Sequence, residues 1–127
     1  MVYEILRSKD VERDLEMIFD HLVQSYLVFR EEFVEAFKRA DSRLKSIEND
    51  IEALASAPFQ GTLMPHILPA LRSVTKHQAI FYFKVFEDAR QVRLLAVFFG
   101  AQDHQRHMLK RLLGHGQNQK GDRRITL

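Results

Sequence analysis

Two apolar runs, residues 78–86 (QAIFYFKVF) and 91–99 (QVRLLAVFF), are separated only by the polar stretch Glu87-Asp88-Ala89-Arg90, and this pair constrains the fold most. β-branched and aromatic residues at that density, joined by a four-residue link, predict an antiparallel hairpin. Setting Phe86 opposite Gln91 fixes a register. Val85 then faces Val92, Phe83 faces Leu94, Phe81 faces Ala96 and Ala79 faces Phe98, which makes one almost wholly apolar face. The other face pairs Lys84 with Arg93, Tyr82 with Leu95 and Ile80 with Val97. Residues 71–75 form a third, shorter strand candidate just upstream.

An apolar sheet face needs a cover, and the first half of the chain supplies one. After a short strand candidate at residues 2–6, Ser8 or Asp10 can cap a helix whose positive end is favoured by Asp10, Glu12 and Asp14. Apolar residues recur at Val11, Leu15, Ile18, Leu22 and Tyr26, with Phe19 and Val23 widening the stripe. A second series, Phe33, Phe37, Ala40, Leu44, Ile47, Ile51 and Leu54, alternates steps of four and three until Pro58 limits it. That series alone is compatible with a coiled coil, but a matching stripe next door favours an antiparallel helical hairpin. Residues 58–70, which hold all three prolines, are too apolar for a solvated linker and predict an ordered loop. Beyond the last strand, Gly100 and Ala101 break the pattern and Asp103 can cap a short amphipathic helix over residues 104–113, with Met108, Leu109, Leu112 and Leu113 on its buried side. The fold class expected is α+β: a domain over residues 1–113, then a flexible basic tail at 114–127 carrying Lys120, Arg123 and Arg124.

Charge is divided along the chain. Residues 1–57 carry eight Lys or Arg against thirteen Asp or Glu, whereas residues 58–127 carry eleven against four, so a net charge of +2 combines −5 and +7. Such a split points to a partner of definite sign. With 127 residues and 46% hydrophobic content a single core is feasible without staples, and the lack of cysteine excludes disulfides, thiolate metal sites and cysteine nucleophiles. No secretory signal is visible at the start and no uncharged apolar stretch is long enough to span a bilayer, so a cytoplasmic location without membrane attachment is the expectation.

The chemistry concentrates on the second sheet face. Like charges directly opposite destabilise a sheet, so Lys84 facing Arg93 suggests an anionic partner or substrate, the plainer alternative being that both heads reach into solvent. Tyr82, Phe86, Leu95, Val97 and Phe99 complete a partner-binding surface too apolar to stay wet, to be covered by the last helix or by a partner segment. His104 and His107 stand three apart, a spacing compatible with metal binding, but only Asp103 or the distant His66 and His77 could complete a ligand set. They fit better as acid–base groups near a basic sheet edge. No phosphate loop, nucleophile elbow or paired carboxylates are recognisable, so neither a metal nor another cofactor is expected. What remains is a basic set, Arg72, Lys76, Lys84, Arg93 and Arg106, able to bind or cleave RNA or to hold an acidic protein segment.

Taken with the order β-α-α-β-β-β-α, several segments resemble the RelE/ParE superfamily of toxins from type II toxin–antitoxin modules. Ser8-x-x-Val11-x-x-Asp14-Leu15-x-x-Ile18 resembles the start of that family's first helix, Leu71-Arg72 the start of its second strand, and residues 80–85 its central strand. Residues 92–100 followed by Gln102-Asp103-His104-Gln105-Arg106-His107-Met108-Leu109 are similar to the last strand and terminal helix of members described as plasmid-stabilisation proteins. The resemblance covers residues 2–113. It implies an antiparallel-rich sheet packed on a helical hairpin, growth inhibition, and a cognate antitoxin that wraps the toxin in a hetero-oligomer. RelE-like members are ribosome-dependent mRNA endonucleases with scattered basic residues and often a C-terminal Tyr, whereas ParE-like members poison DNA gyrase. Arg72, Lys84, Arg93 and Arg106 match basic positions of the first kind, but no Tyr follows Tyr82, so His104 or His107 would have to replace it. That departure favours the ParE side, with an endoribonuclease or a non-toxic relic as alternatives.

Overall fold

The computed structural model describes residues 2–30, 32–100 and 103–118, with side chains to residue 114. Strand β1 (Glu4–Arg7) leads into helices α1 (Lys9–Val28) and α2 (Phe33–Ala53); strands β2 (Thr62–Leu63), β3 (Arg72–Lys76), β4 (Ala79–Phe86) and β5 (Gln91–Phe99) follow, and helix α3 (His104–Asn118) closes the chain. The architecture is the expected α+β one. Ser8 caps α1, its hydroxyl accepting from the Val11 N–H at 3.2 Å. The last helix does not stop at Leu113 but continues to Asn118, and residues 119–127 of the expected tail lie outside the described residues.

The sheet has five strands in the order β1-β5-β4-β3-β2. Strands β2 to β5 pair antiparallel in sequence, the two- and four-residue links of β3–β4 and β4–β5 requiring it, while β1 lies parallel against β5, with Glu4 opposite Gln91 and Arg7 opposite Leu94. Arg7 fixes that parallel strand to both helices, bridging Glu48 at 2.9 Å and lying 3.6 Å from Glu12. The β3–β4 turn places His77 and Gln78 at φ 52° and 68°, a left-handed pair that costs non-glycine residues energy. Helix α2 holds it in place: Arg43 donates to the His77 carbonyl at 2.7 Å, and Asp50 lies 2.7 Å from His77 Nδ1.

The hairpin register holds from its turn outward only as far as Phe83 opposite Leu94. A β-bulge then inserts Leu95. Tyr82 faces Ala96 rather than Leu95, Phe81 faces Val97, Ile80 faces Phe98 and Ala79 faces Phe99. Leu95 and Ala96 therefore point to the same side, and every later residue of β5 exchanges faces. Val97 joins the core beneath α1 and α2, with Phe99 packed against it, while Phe98 moves to the side of α3.

Two apolar layers result. The larger lies between the helical hairpin and the sheet and contains Val11, Leu15, Ile18, Leu22, Ile47, Ile51, Phe81, Phe83, Val92 and Leu94. The smaller lies on the opposite face, where Met108 of α3, Met64 of the proline-rich loop and Leu71 just before β3 pack with Ile80, Tyr82, Leu95 and Ala96. The last helix is thus the cover that the second face demanded.

Gly61 allows the loop to close on β3. Its φ is +86°, and a Cβ there would sit 2.4 Å from the Ser73 carbonyl oxygen. Gly61→Ala is expected to lose about 2–4 kcal/mol in urea unfolding, because left-handed strain is joined by a backbone clash. Gly100→Ala shares the strain, at φ +87°, with nothing within 4 Å of the new methyl, and should lose only about 1–2 kcal/mol.

Candidate interaction face and the clasp on β5

Close to the β4–β5 turn, beyond the cover of α3, Lys84 and Arg93 stand directly opposite one another as expected. Both cations lie against Phe86: the Arg93 guanidinium is 4.0 Å from its ring centroid and the Lys84 ammonium 5.5 Å. The ring's negative face favours both cations, which offsets part of their repulsion. Arg93 also donates to the Gln91 side-chain oxygen, with Nη2 at 3.2 Å. Lys84, Phe86 and Arg93, all only partly buried, form a compact basic and aromatic patch.

The other candidates distribute differently. Arg72 faces Phe83 across the β3–β4 ladder and so projects toward the helical hairpin, away from Lys84 and Arg93. It donates to the Phe59 carbonyl at 2.9 Å and lies 5.4 Å from the Phe59 ring centroid. Tyr82 and Leu95, expected on the partner surface, are buried under α3, and Val97 is in the main core with Phe99 packed against it. The bulge and α3 thereby reduce that proposed surface to Lys84, Phe86 and Arg93.

His104 and His107 are not joined in one site. The Tyr82 hydroxyl lies 2.6 Å from His104 Nδ1. Burial, reinforced by the charge of Asp103, pushes the Tyr82 phenol up to about 12, so at neutral pH it remains a donor. His107 lies beside Phe98 with ring centroids 5.9 Å apart, and Arg106 is exposed on the first turn of α3, its backbone N–H 3.4 Å from Asp103 Oδ1. His66 meets Gln105 at 2.9 Å and His77 meets Asp50. Among the described residues no three His, Asp or Glu side chains converge as a metal site.

A feature that sequence reasoning missed lies at the free edge of β5. Strand β1 covers β5 only to Leu94, so the following backbone has no strand neighbour on that side. Asp14 of α1 and Arg111 of α3 occupy it instead. Arg111 Nη2 donates to Asp14 Oδ1 at 2.6 Å and Nη1 to Oδ2 at 2.8 Å; Oδ2 also accepts from the Val97 N–H at 2.9 Å, and Nη1 reaches the Leu95 carbonyl at 3.2 Å. These are the main-chain groups that flank the bulge. Burial alone would lower the guanidinium's pKa, but hydrogen bonding and charge from Asp14 outweigh it and raise it, so Arg111 stays ionised. The sequence pattern suggests Asp14 as a dipole partner at the helix start, yet it stands between Val11 and Ile18 on the apolar stripe and is only 5% exposed. A carboxylate on a buried stripe was the available signal. Above this clasp lies a cleft of about 560 Å³ between α1 and α3, bordered by Met17, His21, Phe98, His107 and Lys110.

No family model and no curated protein matches the chain. Solved structures do. A chain of the "Chromosomal ParDE TA system from P. aeruginosa" superposes with a TM-score of 0.61 at 18% identity, covering 79% of this chain and 98% of the other. A chain of the RelBE2 toxin–antitoxin complex from Mycobacterium tuberculosis superposes with a TM-score of 0.52 at 12% identity, covering 78% and 99%. With its helical hairpin, five-stranded mixed sheet and terminal helix, the chain has the RelE/ParE-like fold seen in both of these toxin–antitoxin structures.

Proposed function

We propose that this protein is the toxin of a type II toxin–antitoxin module and that it acts in the ParE manner, by protein contact with DNA gyrase, rather than by cutting RNA. The observation that carries this reading is the separation of the candidate nuclease residues: Arg72 lies on the hairpin side of the sheet and Lys84 and Arg93 on the other, while His104 is engaged with the buried Tyr82. A phosphodiester cleft needs its cations and its proton-transfer group aimed at one reacting phosphate. The Lys84–Phe86–Arg93 patch is then the docking point for an acidic segment of the antitoxin, where exposed charges steer encounter and fix register.

A second reading has one observation in its favour. Lys84, Arg93 and the Tyr82–His104 pair share a face of the sheet, so a ribonuclease built on those residues without Arg72 is geometrically coherent.

Expression without an antitoxin should arrest growth, and the purified chain should inhibit gyrase supercoiling. The triple variant Lys84→Ala, Arg93→Ala, His104→Ala should retain both effects while binding antitoxin about 10–100-fold more weakly. Untouched supercoiling together with mRNA cleavage that the triple variant abolishes would establish the ribonuclease reading. Normal growth on expression would identify a relic.

A further inference from the structure

The tip of the helical hairpin exposes a concentration of large apolar side chains that the interior does not use. Val28 is 76% exposed, Phe29 78%, Phe33 62%, Val34 59% and Phe37 46%. They are part of an ordered aromatic cluster: Phe37 lies edge-on to Phe19 with centroids 4.9 Å apart, and Phe33 is 6.2 Å from Phe37. Single exposed hydrophobics are normal, but five within ten consecutive residues at one end of the molecule constitute a patch.

We propose that this tip is a self-association surface and that its occupant is the same tip of a second copy of the chain. Area is the first argument. At about 200 Å² for an aromatic side chain and three quarters of that for valine, the five side chains leave roughly 600 Å² of apolar surface in water. Two such patches closing fully on each other bury at most about 1,200 Å², which reaches the lower limit for a specific interface once a polar rim is added.

Charge order is the second argument. Glu32 and Glu35 lie at the tip end of α2 and Lys38 beyond them; Glu35 and Lys38 pair along the helix at 3.8 Å, yet their side chains are 62% and 70% exposed, so each can exchange that weak surface contact for one with a neighbouring molecule. A two-fold axis perpendicular to α2 runs the two α2 helices antiparallel and brings the acidic end of each toward Lys38 of the other, whereas an axis along α2 would set them parallel and align like charges. The patch is therefore complementary to itself in sign as well as in apolar character. The Lys84–Phe86–Arg93 face lies at the β4–β5 turn, on the opposite side of the sheet from the hairpin, so dimerisation leaves it accessible.

Sedimentation equilibrium on the full chain tests this. The wild-type chain should show a monomer–dimer equilibrium with Kd in about the micromolar range. Phe33→Asp, at an exposed position, should weaken it at least tenfold with an unchanged circular dichroism spectrum. Glu35→Lys and Lys38→Glu should each weaken association, and the double reversal should restore it. A wild-type chain that is monomeric throughout about 1–100 µM would overturn the proposal, as would a dimer indifferent to Phe33→Asp or a double reversal that fails to recover association.

Discussion

Arg111→Met is expected to lose about 3–5 kcal/mol of unfolding free energy. The side chain is 20% exposed and its partner Asp14 only 5%. Removing the guanidinium leaves a buried carboxylate with the Val97 N–H as its remaining donor and takes the Arg111 donor from the Leu95 carbonyl. Asp14→Ala should cost a similar amount by stranding the cation. The double variant Asp14→Leu, Arg111→Met should cost clearly less than the two single losses combined, because the penalty comes from the orphaned charge rather than from loss of the pair. Urea midpoints measure all three, and additive losses would refute the clasp. Amide exchange gives a local readout: Val97 and the backbone of α3 should lose protection first in Arg111→Met, since this pair links α1, β5 and α3.

Alkaline pH should destabilise the protein through Tyr82. Burial, with the charge of Asp103, raises this phenol from about 10 in the unfolded chain to about 12 in the fold. A raised folded pKa means that the unfolded state releases its proton first. The stabilisation is complete below pH 10 and is lost progressively as pH climbs from 10 to 12, a difference on the order of 2–3 kcal/mol. Tyr82→Phe keeps the ring against Phe98, removes the 2.6 Å contact with His104, and should lose about 1–3 kcal/mol at neutral pH. It should also flatten the slope of stability between pH 10 and 12. Equal slopes in the two proteins would show that Tyr82 ionises freely in the fold.

Much of the fold was legible because it is written in local periodicity. The apolar stripes at steps of three and four, the Ser8 cap, and the apolar runs flanking residues 87–90 each reflect interactions within a few residues, and the elements form where those patterns place them. The hairpin register was legible only near its turn. Residues 94–99 are apolar without interruption, so no polar residue marks which side each faces, and alternation could not reveal the bulge at Leu95. Arg72 illustrates the same limit for the site. Its charge was evident, but the face it occupies depends on the β3–β4 register, and that register places it away from Lys84.

By itself the sequence determined the α+β class, the helical hairpin, the Lys84–Arg93 pairing and the asymmetry of charge, all of which follow from short-range pattern and composition. Only the tertiary structure decided the parallel placement of β1 on β5, the exchange of faces beyond the bulge, the burial of Tyr82 beneath α3, and the junction of Asp14 with Arg111, 97 positions apart. The physical reason is the same in each case. These features satisfy backbone groups and apolar surfaces that become unpaired only after the local elements have met, so what each requires is defined by the assembled sheet and not by any stretch of chain.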